Sequence, residues 1–193
     1  MKETKQIGIY KKYLREHLSK KRYTHSLNVA ASAVELAKKY DGDSDKAYTA
    51  GLLHDIAKEM PVEEQLALVK ESVLDVSEIE TKSVPLYHAI AGAEMVQKVF
   101  GIRDEEMIWA IRWHTVAAGG MSKLAVIVYL ADLISADREY KDVNRMRKLA
   151  DKSLERAMCE ALRFSVGDSV SKGNSIPVST IEAYNEYIRY KKS

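Results

Sequence analysis

Two adjacent side chains that can bind a metal, His54 and Asp55, lie inside the apolar, helix-forming segment Gly51-Leu-Leu-His-Asp-Ile-Ala-Lys58. Burying an imidazole or a carboxylate costs free energy unless each has a strong partner, and one cation can be the partner of both. Four more side chains of these two types have similar surroundings: His25, His88, His114 and Asp132. Their spacing leaves two interpretations open, separate structural residues or a metal site that the fold assembles.

If the six side chains converge, they are too many for one small coordination sphere and suit two cations that share a carboxylate. Imidazole and carboxylate ligands suit iron, manganese, zinc or nickel, whereas the absence of thiolates argues against a structural zinc site. Two such ions can activate a water and balance the charge of a phosphoryl group, which is hydrolytic chemistry. Lys58, one helical turn after His54, is either a phosphate contact or a solvated helix end.

Composition and charge narrow the class of protein. The chain has 193 residues, 46% of them hydrophobic and 30% charged, which fits one globular domain. A net charge of +2 provides no basic surface typical of nucleic-acid binding. The single cysteine, Cys159, excludes an internal disulfide and favours a cytoplasmic location. The longest apolar run, 124–131, is too short to span a membrane.

The periodicity of apolar residues predicts helices almost throughout, and no segment alternates with the period of a strand. We expect Asp104 and Ser122 to begin helices and Gly101 to end one. The predicted helices that carry the candidate ligands span 22–40, 45–57, 85–100, 104–113 and 123–136. The expected fold is therefore a single all-α domain over residues 1–193.

At this point the residues match a known pattern. The ordered set of four histidines and two aspartates resembles that of the HD-domain metallophosphohydrolase superfamily. Flanking sequences are similar to the bacterial YqeK family, and the matches run from about residue 22 to 187. They include Arg22-Tyr-Thr-His-Ser26, His88-Ala-Ile-Ala-Gly92, Ile111-Arg-Trp-His-Thr115, Tyr129-Leu-Ala-Asp132 and Pro177-Val-Ser-Thr-Ile-Glu-Ala-Tyr-Asn185.

The resemblance implies an HD-domain helical bundle, or orthogonal array, with a core at about 22–137 and C-terminal helices at about 142–190 packed on it. It implies two transition-metal ions, with iron favoured and manganese, zinc or nickel as alternatives. One ion would take His25, His54, Asp55 and Asp132, and the other His88 and His114, with Asp55 as the bridge. The implied reaction is symmetrical hydrolysis of diadenosine tetraphosphate to two ADP by a metal-bound hydroxide.

The resemblance also suggests where the substrate binds. We expect Asp55 and Lys58 to be catalytic and Lys58 and Arg138 to contact phosphates. Thr115 and the loop that contains Gly119 and Gly120 are expected to line the pocket, because glycines let backbone approach a ligand closely. The partner is then a small nucleotide, with no nucleic acid or membrane, and a homodimer stays an open alternative.

The chain departs from the family after its last aspartate ligand. The family pattern there is close to Ala-Asp-Tyr-Ile-Glu-Pro-Gly-Arg, whereas this chain has Ala131-Asp-Leu-Ile-Ser-Ala-Asp-Arg138. Ser135 replaces an acid, so the function of that acid is in doubt here. Two alternatives therefore remain: another HD nucleotidase or phosphodiesterase, or a nucleotide-sensing HD module without turnover.

Overall fold

The computed structural model describes residues 4–191, and within this range the chain has eleven α-helices and no strand. The prediction of an all-α fold is confirmed; residues 1–3 and 192–193 of the expected domain lie outside the described range. The helices are α1 Lys5–His17, α2 Lys20–Lys39, α3 Ser44–Leu53, α4 Val62–Glu71, α5 Glu78–Thr81, α6 Tyr87–Phe100, α7 Glu105–Trp113, α8 Lys123–Ile134, α9 Val143–Lys152, α10 Leu154–Ser171 and α11 Val178–Tyr187, with 3-10 turns at Val84–Leu86 and Ile188–Tyr190.

The predicted helix boundaries at three capping residues are confirmed. The Asp104 carboxylate accepts a hydrogen bond from the backbone N–H of Met107 at the start of α7. The Ser122 hydroxyl accepts one from Ala125 at the start of α8. Gly101 ends α6 with φ of +67°, a conformation that glycine adopts at little cost.

The largest difference from a predicted helix boundary lies at the most informative residues. The helix predicted over 45–57 ends at Leu53, immediately before His54. Residues 54–59 continue as tight turns, in which the Ile56 N–H donates to the Leu53 carbonyl at 3.0 Å. The His54 imidazole contacts the Gly51 carbonyl at 2.7 Å. In a continued helix this carbonyl would accept a hydrogen bond from the backbone N–H of Asp55, so the side chain of His54 uses the acceptor instead.

Helix α8 lies at the centre of the domain. Eight consecutive residues, Leu124 to Ala131, are buried, as expected for a helix that is apolar on every side. It packs against α2, α3, α7, α9 and α10. Asp132 follows this buried run directly, so the sequence changes from core to candidate ligand at the edge of the packed interior. Among the described helices, none is both long and apolar enough to cross a membrane.

A close approach between α2 and α3 sets the distance between the two helices that position His25 and His54. A Cβ atom added at Gly51 would lie 3.0 Å from the Cα atom of Ala30. This contact is tighter than almost all real Cβ contacts, so alanine would fit here only if the backbone of α2 moved by a few tenths of an ångström.

We predict that Gly51→Ala lowers the free energy of unfolding of the metal-free protein by about 1–2 kcal/mol, because the strain of overpacking exceeds the gain in helix propensity. The matched control is Gly167→Ala in α10, where an added Cβ meets nothing within 4 Å. That variant should gain about 0.5–1 kcal/mol, the ordinary benefit of alanine over glycine in a helix. Urea denaturation followed by circular dichroism measures both, and stabilisation by Gly51→Ala would contradict the packing argument.

Candidate metal centre

The structure brings the six predicted ligands together from five parts of the chain. His25 lies on α2, His88 on α6 and Asp132 on α8. His54 and Asp55 follow the end of α3, and His114 follows the end of α7. The four histidines and Asp55 are all buried, and the Asp132 side chain is 18% exposed. A cluster of polar groups this deep needs a compensating partner.

The Asp55 carboxylate is the centre of the cluster, and its two oxygens face different histidines. Oδ2 lies 3.3 Å from Nε2 of His54 and 3.9 Å from Nε2 of His25. Oδ1 lies 3.5 Å from Nε2 of His88 and 3.6 Å from Nε2 of His114. The carboxylate therefore separates the histidines into two pairs, one at each oxygen.

Asp132 belongs to the pair at Oδ2. Its Oδ1 atom lies 2.9 Å from Nε2 of His25 and 3.9 Å from Nε2 of His54. One group of candidate ligands thus contains His25, His54, Asp55 and Asp132, and the other contains Asp55, His88 and His114.

These donor sets fit divalent metal ions. In each group of three, His25–His54–Asp55 and Asp55–His88–His114, the potential ligand atoms lie within 4.8 Å of one another. The Nε2 atoms of His25 and His54 are buried without a well-formed hydrogen bond, although carboxylate oxygens lie nearby. Buried polar atoms left this way call for an explanation, and a shared cation provides one. The residues thus fit two ions that share Asp55.

Two of the histidines are held by the same device. Nδ1 of His54 contacts the Gly51 carbonyl at 2.7 Å, and Nδ1 of His114 contacts the Ile111 carbonyl at 2.6 Å. In each case the carbonyl belongs to the residue three positions earlier, in the last turn of a helix. Because a carbonyl oxygen only accepts, Nδ1 must donate, and the lone pair is then on Nε2, which faces Asp55.

His25 is held differently. Its Nδ1 atom lies 2.7 Å from Oδ2 of Asp137, a residue that the sequence analysis did not assign to the site. Burial acts to raise the pKa of Asp137, but hydrogen bonds from Asn28 and His25 lower it below its ordinary value. Asp137 is therefore a carboxylate that accepts from the imidazole. No local sequence signal identifies it, since the contact joins residues 112 positions apart.

The remaining ligand pair lies beside Lys58 and Thr115. The Lys58 ammonium is 3.2 Å from Nε2 of His88. The Thr115 hydroxyl is 3.2 Å from Nε2 of His88 and 3.1 Å from Nε2 of His114. Two of the predicted substrate contacts are thus located where the ligand atoms of this pair converge.

Charge in the cluster is strongly coupled. Burial acts to raise the pKa of Asp55, but His54 and His114 hold it well below its usual range. Burial, His114 and Lys58 together lower the pKa of His88 well below its usual value, which favours the neutral imidazole that binds metals. Burial also lowers the pKa of Lys58. Burial also acts to raise the pKa of Asp132, but His25 and His54 outweigh this effect and lower it. Both aspartates are therefore anionic.

Two arginines contact these carboxylates. Nη1 of Arg22 lies 2.6 Å from Oδ2 of Asp55, and the Arg138 guanidinium pairs with Asp132. Arg138 was a predicted substrate contact, whereas Arg22 was not assigned. The sequence could have indicated Arg22, because it lies three residues before His25 and both therefore share one face of α2.

Gly119 and Gly120 are not brought to this cluster. The cavity at the centre has a volume of about 280 Å³, and neither glycine lines it, in contrast to Lys58, Thr115 and Arg138. The Gly120 N–H donates to the Glu186 carboxylate at 2.7 Å, and Gly119 lies against Glu182. The loop therefore packs on α11.

The contacts of Ser135 show its structural role at the end of α8. It is buried at the end of α8, and its carbonyl accepts a hydrogen bond from Arg147 at 2.8 Å. Its hydroxyl contacts the Asp132 carbonyl at 3.4 Å. The serine thus completes a helix end, and the next acid along the chain is Asp137.

Comparison with known proteins places these residues in a family, because the model of the HD domain matches residues 22–137, which contain all six clustered side chains. The chain belongs to the HD-domain family. The symmetrical bis(5'-nucleosyl)-tetraphosphatase of Bacillus subtilis is 32% identical to it over 172 residues, covering 89% of this chain and 92% of the relative. The enzyme of the same name from Halalkalibacterium halodurans is 34% identical, covering 93% and 95%.

A solved structure supports the same HD-domain assignment. It is described as a predicted HD superfamily hydrolase involved in NAD metabolism from Clostridium acetobutylicum, and it is 37% identical. The two structures superpose with a TM-score of 0.90, and the match covers 95% of this chain and 97% of the other chain. The resemblance stated from the motifs is thereby confirmed, and divalent metal cofactors are consistent with the HD-domain assignment.

We predict that protein purified without added metal contains close to two transition-metal ions per chain, because two groups of ligand atoms share Asp55. Asp55→Ala should lose both ions, since it removes the oxygen donor common to the two groups. His17→Ala is the matched control, because His17 is an exposed histidine outside the cluster. Elemental analysis gives the stoichiometry, and less than about half an ion per wild-type chain would contradict a dinuclear centre.

Proposed function

We propose that this chain hydrolyses diadenosine tetraphosphate symmetrically, giving two molecules of ADP. The observation that carries the proposal is the division of four Nε2 atoms between the two oxygens of Asp55, which supports a dinuclear hydrolytic centre. The relatives named symmetrical bis(5'-nucleosyl)-tetraphosphatase support the substrate, because they match this chain over nearly its whole length.

The proposed ligands follow the two groups of side chains. His25, His54, Asp55 and Asp132 would hold one ion, and His88 and His114 would hold the other with Asp55. Iron is the metal that we favour, with manganese, zinc or nickel as alternatives for the same donor set. Ions at these positions supply Lewis acidity and positive charge for hydrolysis of a phosphoanhydride.

Cationic side chains around the cluster suit a polyphosphate. Lys58, Arg22 and Arg138 all line the cavity that contains the two aspartates. The leaving group of symmetrical cleavage is a nucleoside diphosphate, a stable anion near neutral pH, so a strong general acid is not needed. These side chains would bind and orient the phosphates, and Lys58 is the one we assign to catalysis, because it lies beside His88.

The space next to the cluster suits a ligand larger than phosphate. The cavity at the centre adjoins a second cavity of about 620 Å³, and Thr115 and Ser165 line both. The second cavity combines aliphatic side chains such as Ile79, Pro85 and Ile176 with polar groups that include Asn174. Sites for small organic ligands typically have this mixture of apolar walls and a few polar groups. We propose that it accepts one nucleoside half of the substrate.

Three further properties are proposed. The partner is proposed to be a small nucleotide and not a nucleic acid, given the net charge of +2. A cytoplasmic location rests on the single cysteine, Cys159, which is buried and unpaired. A homodimer stays an alternative to a monomer.

The first test of the activity is the identity of the products. The metal-loaded protein should convert diadenosine tetraphosphate to ADP alone, measured by anion-exchange chromatography at early time points. ATP with AMP would contradict symmetrical cleavage. If the protein binds two ions but leaves the dinucleotide intact, the sensing module is favoured; if it hydrolyses only mononucleotides or phosphodiesters, another HD nucleotidase is favoured.

The second test concerns Lys58. We predict that Lys58→Met lowers kcat for diadenosine tetraphosphate by about 100-fold, the usual loss when one preorganised charge donor is removed from an active site. Lys58→Arg should recover part of it, because the positive charge is kept. The metal content should be unchanged, which separates phosphate binding from metal binding.

The matched control for Lys58 is Lys38→Met, because Lys38 is an exposed lysine on α2. This variant should keep the wild-type kcat. An equal loss of kcat in both variants, or no loss in Lys58→Met, would contradict the role assigned to Lys58.

A further inference from the structure

The His25 imidazole is distinguished by the group that holds its Nδ1 atom. His54 and His114 use backbone carbonyls three residues earlier, whereas Nδ1 of His25 lies 2.7 Å from the Asp137 carboxylate. A carboxylate carries a full negative charge, so its hydrogen bond to an imidazole is stronger than that of a neutral carbonyl.

Asp137 is itself fixed at both oxygens by side chains of one helix. Its Oδ2 atom contacts His25, and its Oδ1 atom accepts a hydrogen bond from the Asn28 amide at 3.0 Å. His25 and Asn28 are three residues apart on α2, so they lie on the same face of that helix. The segment after α8 is thereby connected to α2 directly behind the candidate ligand.

We propose that Asp137 is a positioning residue for the metal ion bound by His25. This inference rests on the dinuclear centre proposed above. The Asp137 carboxylate accepts a hydrogen bond from the Nδ1–H group, so the lone pair is on Nε2, which faces Asp55 and Asp132. A carboxylate behind a metal-binding histidine fixes the orientation of the ring and raises its basicity.

The family pattern quoted in the sequence analysis has no acid at the position of Asp137. In the segment Ala131-Asp-Leu-Ile-Ser-Ala-Asp-Arg138, Asp137 takes the place of the glycine in that pattern, and Ser135 takes the place of the acid. The Ser135 side chain contacts the Asp132 carbonyl. The carboxylate that reaches His25 is therefore the one two residues after Ser135.

The consequence is that the two ions are not equivalent. His25 belongs to the ligand group at Oδ2 of Asp55, so Asp137 supports that ion alone. On the other side of Asp55, the nearby groups of His88 are the Lys58 ammonium and the Thr115 hydroxyl. Removal of Asp137 should thus weaken one metal site and leave the second unchanged.

The experiment is a titration of the metal-free full chain with Mn²⁺, and separately with Zn²⁺, in competition with a chelating dye. The wild-type protein should bind two ions. Asp137→Ala should weaken one of them by about 10- to 100-fold, the usual effect of losing such a carboxylate. Asp137→Asn should lose less, because the amide oxygen still accepts a hydrogen bond, and Asp137→Glu should recover part of the affinity.

The matched control is Asp142→Asn, which removes one exposed carboxylate from the same segment. It should bind both ions like the wild type. The thermal midpoint of each metal-free variant is measured alongside, because a purely structural role would lower it and weaken both sites together. If Asp137→Ala does not fold, Asn28→Ala replaces it, with a smaller loss expected at the same site.

The outcomes distinguish this inference from the proposal on which it depends. A wild-type protein that binds fewer than two ions would overturn the dinuclear centre and the inference with it. Two ions in the wild type with unchanged affinities in Asp137→Ala, or an equal loss at both sites, would overturn the role of Asp137 alone. A selective loss at one site supports it.

Discussion

The structure depends on one buried carboxylate. Asp55 is 3% exposed, and four imidazole nitrogens surround its two oxygens within 4 Å. An anion at this depth is tolerated only where positive charge compensates it, whether from cations bound in the cluster or from Arg22. The arrangement of α2, α3, α6, α7 and α8 follows from this requirement, because each of these helices carries or ends beside a group in contact with Asp55 or Asp132.

Two of the histidine rings are directed toward Asp55 from the ends of helices. A histidine within a helix leans toward the preceding turn, so its reach is limited. His54 and His114 instead follow the last residue of a helix and bond back to a carbonyl of that last turn. The helix supplies rigidity, a carbonyl of its last turn selects the tautomer, and the ring points from the end of the helix toward the cluster. The early end of α3 at Leu53 is thus part of how the site is built.

The sequence predicts the parts of this structure that depend on local information. Residue types indicated the candidate ligands that the fold brings together, periodicity indicated an all-α fold, and capping at Asp104 and Ser122 marked helix starts correctly. Two of the failures depend on contacts between distant segments. The contact of Asp137 with His25 and the packing of Gly120 on Glu186 join residues 112 and 66 positions apart. No spacing rule encodes such contacts, and the end of α3 was missed because a histidine side chain took part in the helix hydrogen bonds.

The cations at the centre connect stability with the proposed chemistry. Arg22 and Arg138 pair with Asp55 and Asp132, so in the folded chain they offset negative charge that the ligand set concentrates. The same two side chains line the cavity, where a polyphosphate would present more negative charge than either aspartate. Such cations need not be brought in when the substrate arrives, because the carboxylates already hold them in place. Electrostatic preorganisation of this kind costs little reorganisation at the moment of reaction. The two aspartates would thus also keep the guanidinium groups ready for phosphate. Arg22 lies three residues before His25 on α2, and Arg138 follows the end of α8, six residues after Asp132.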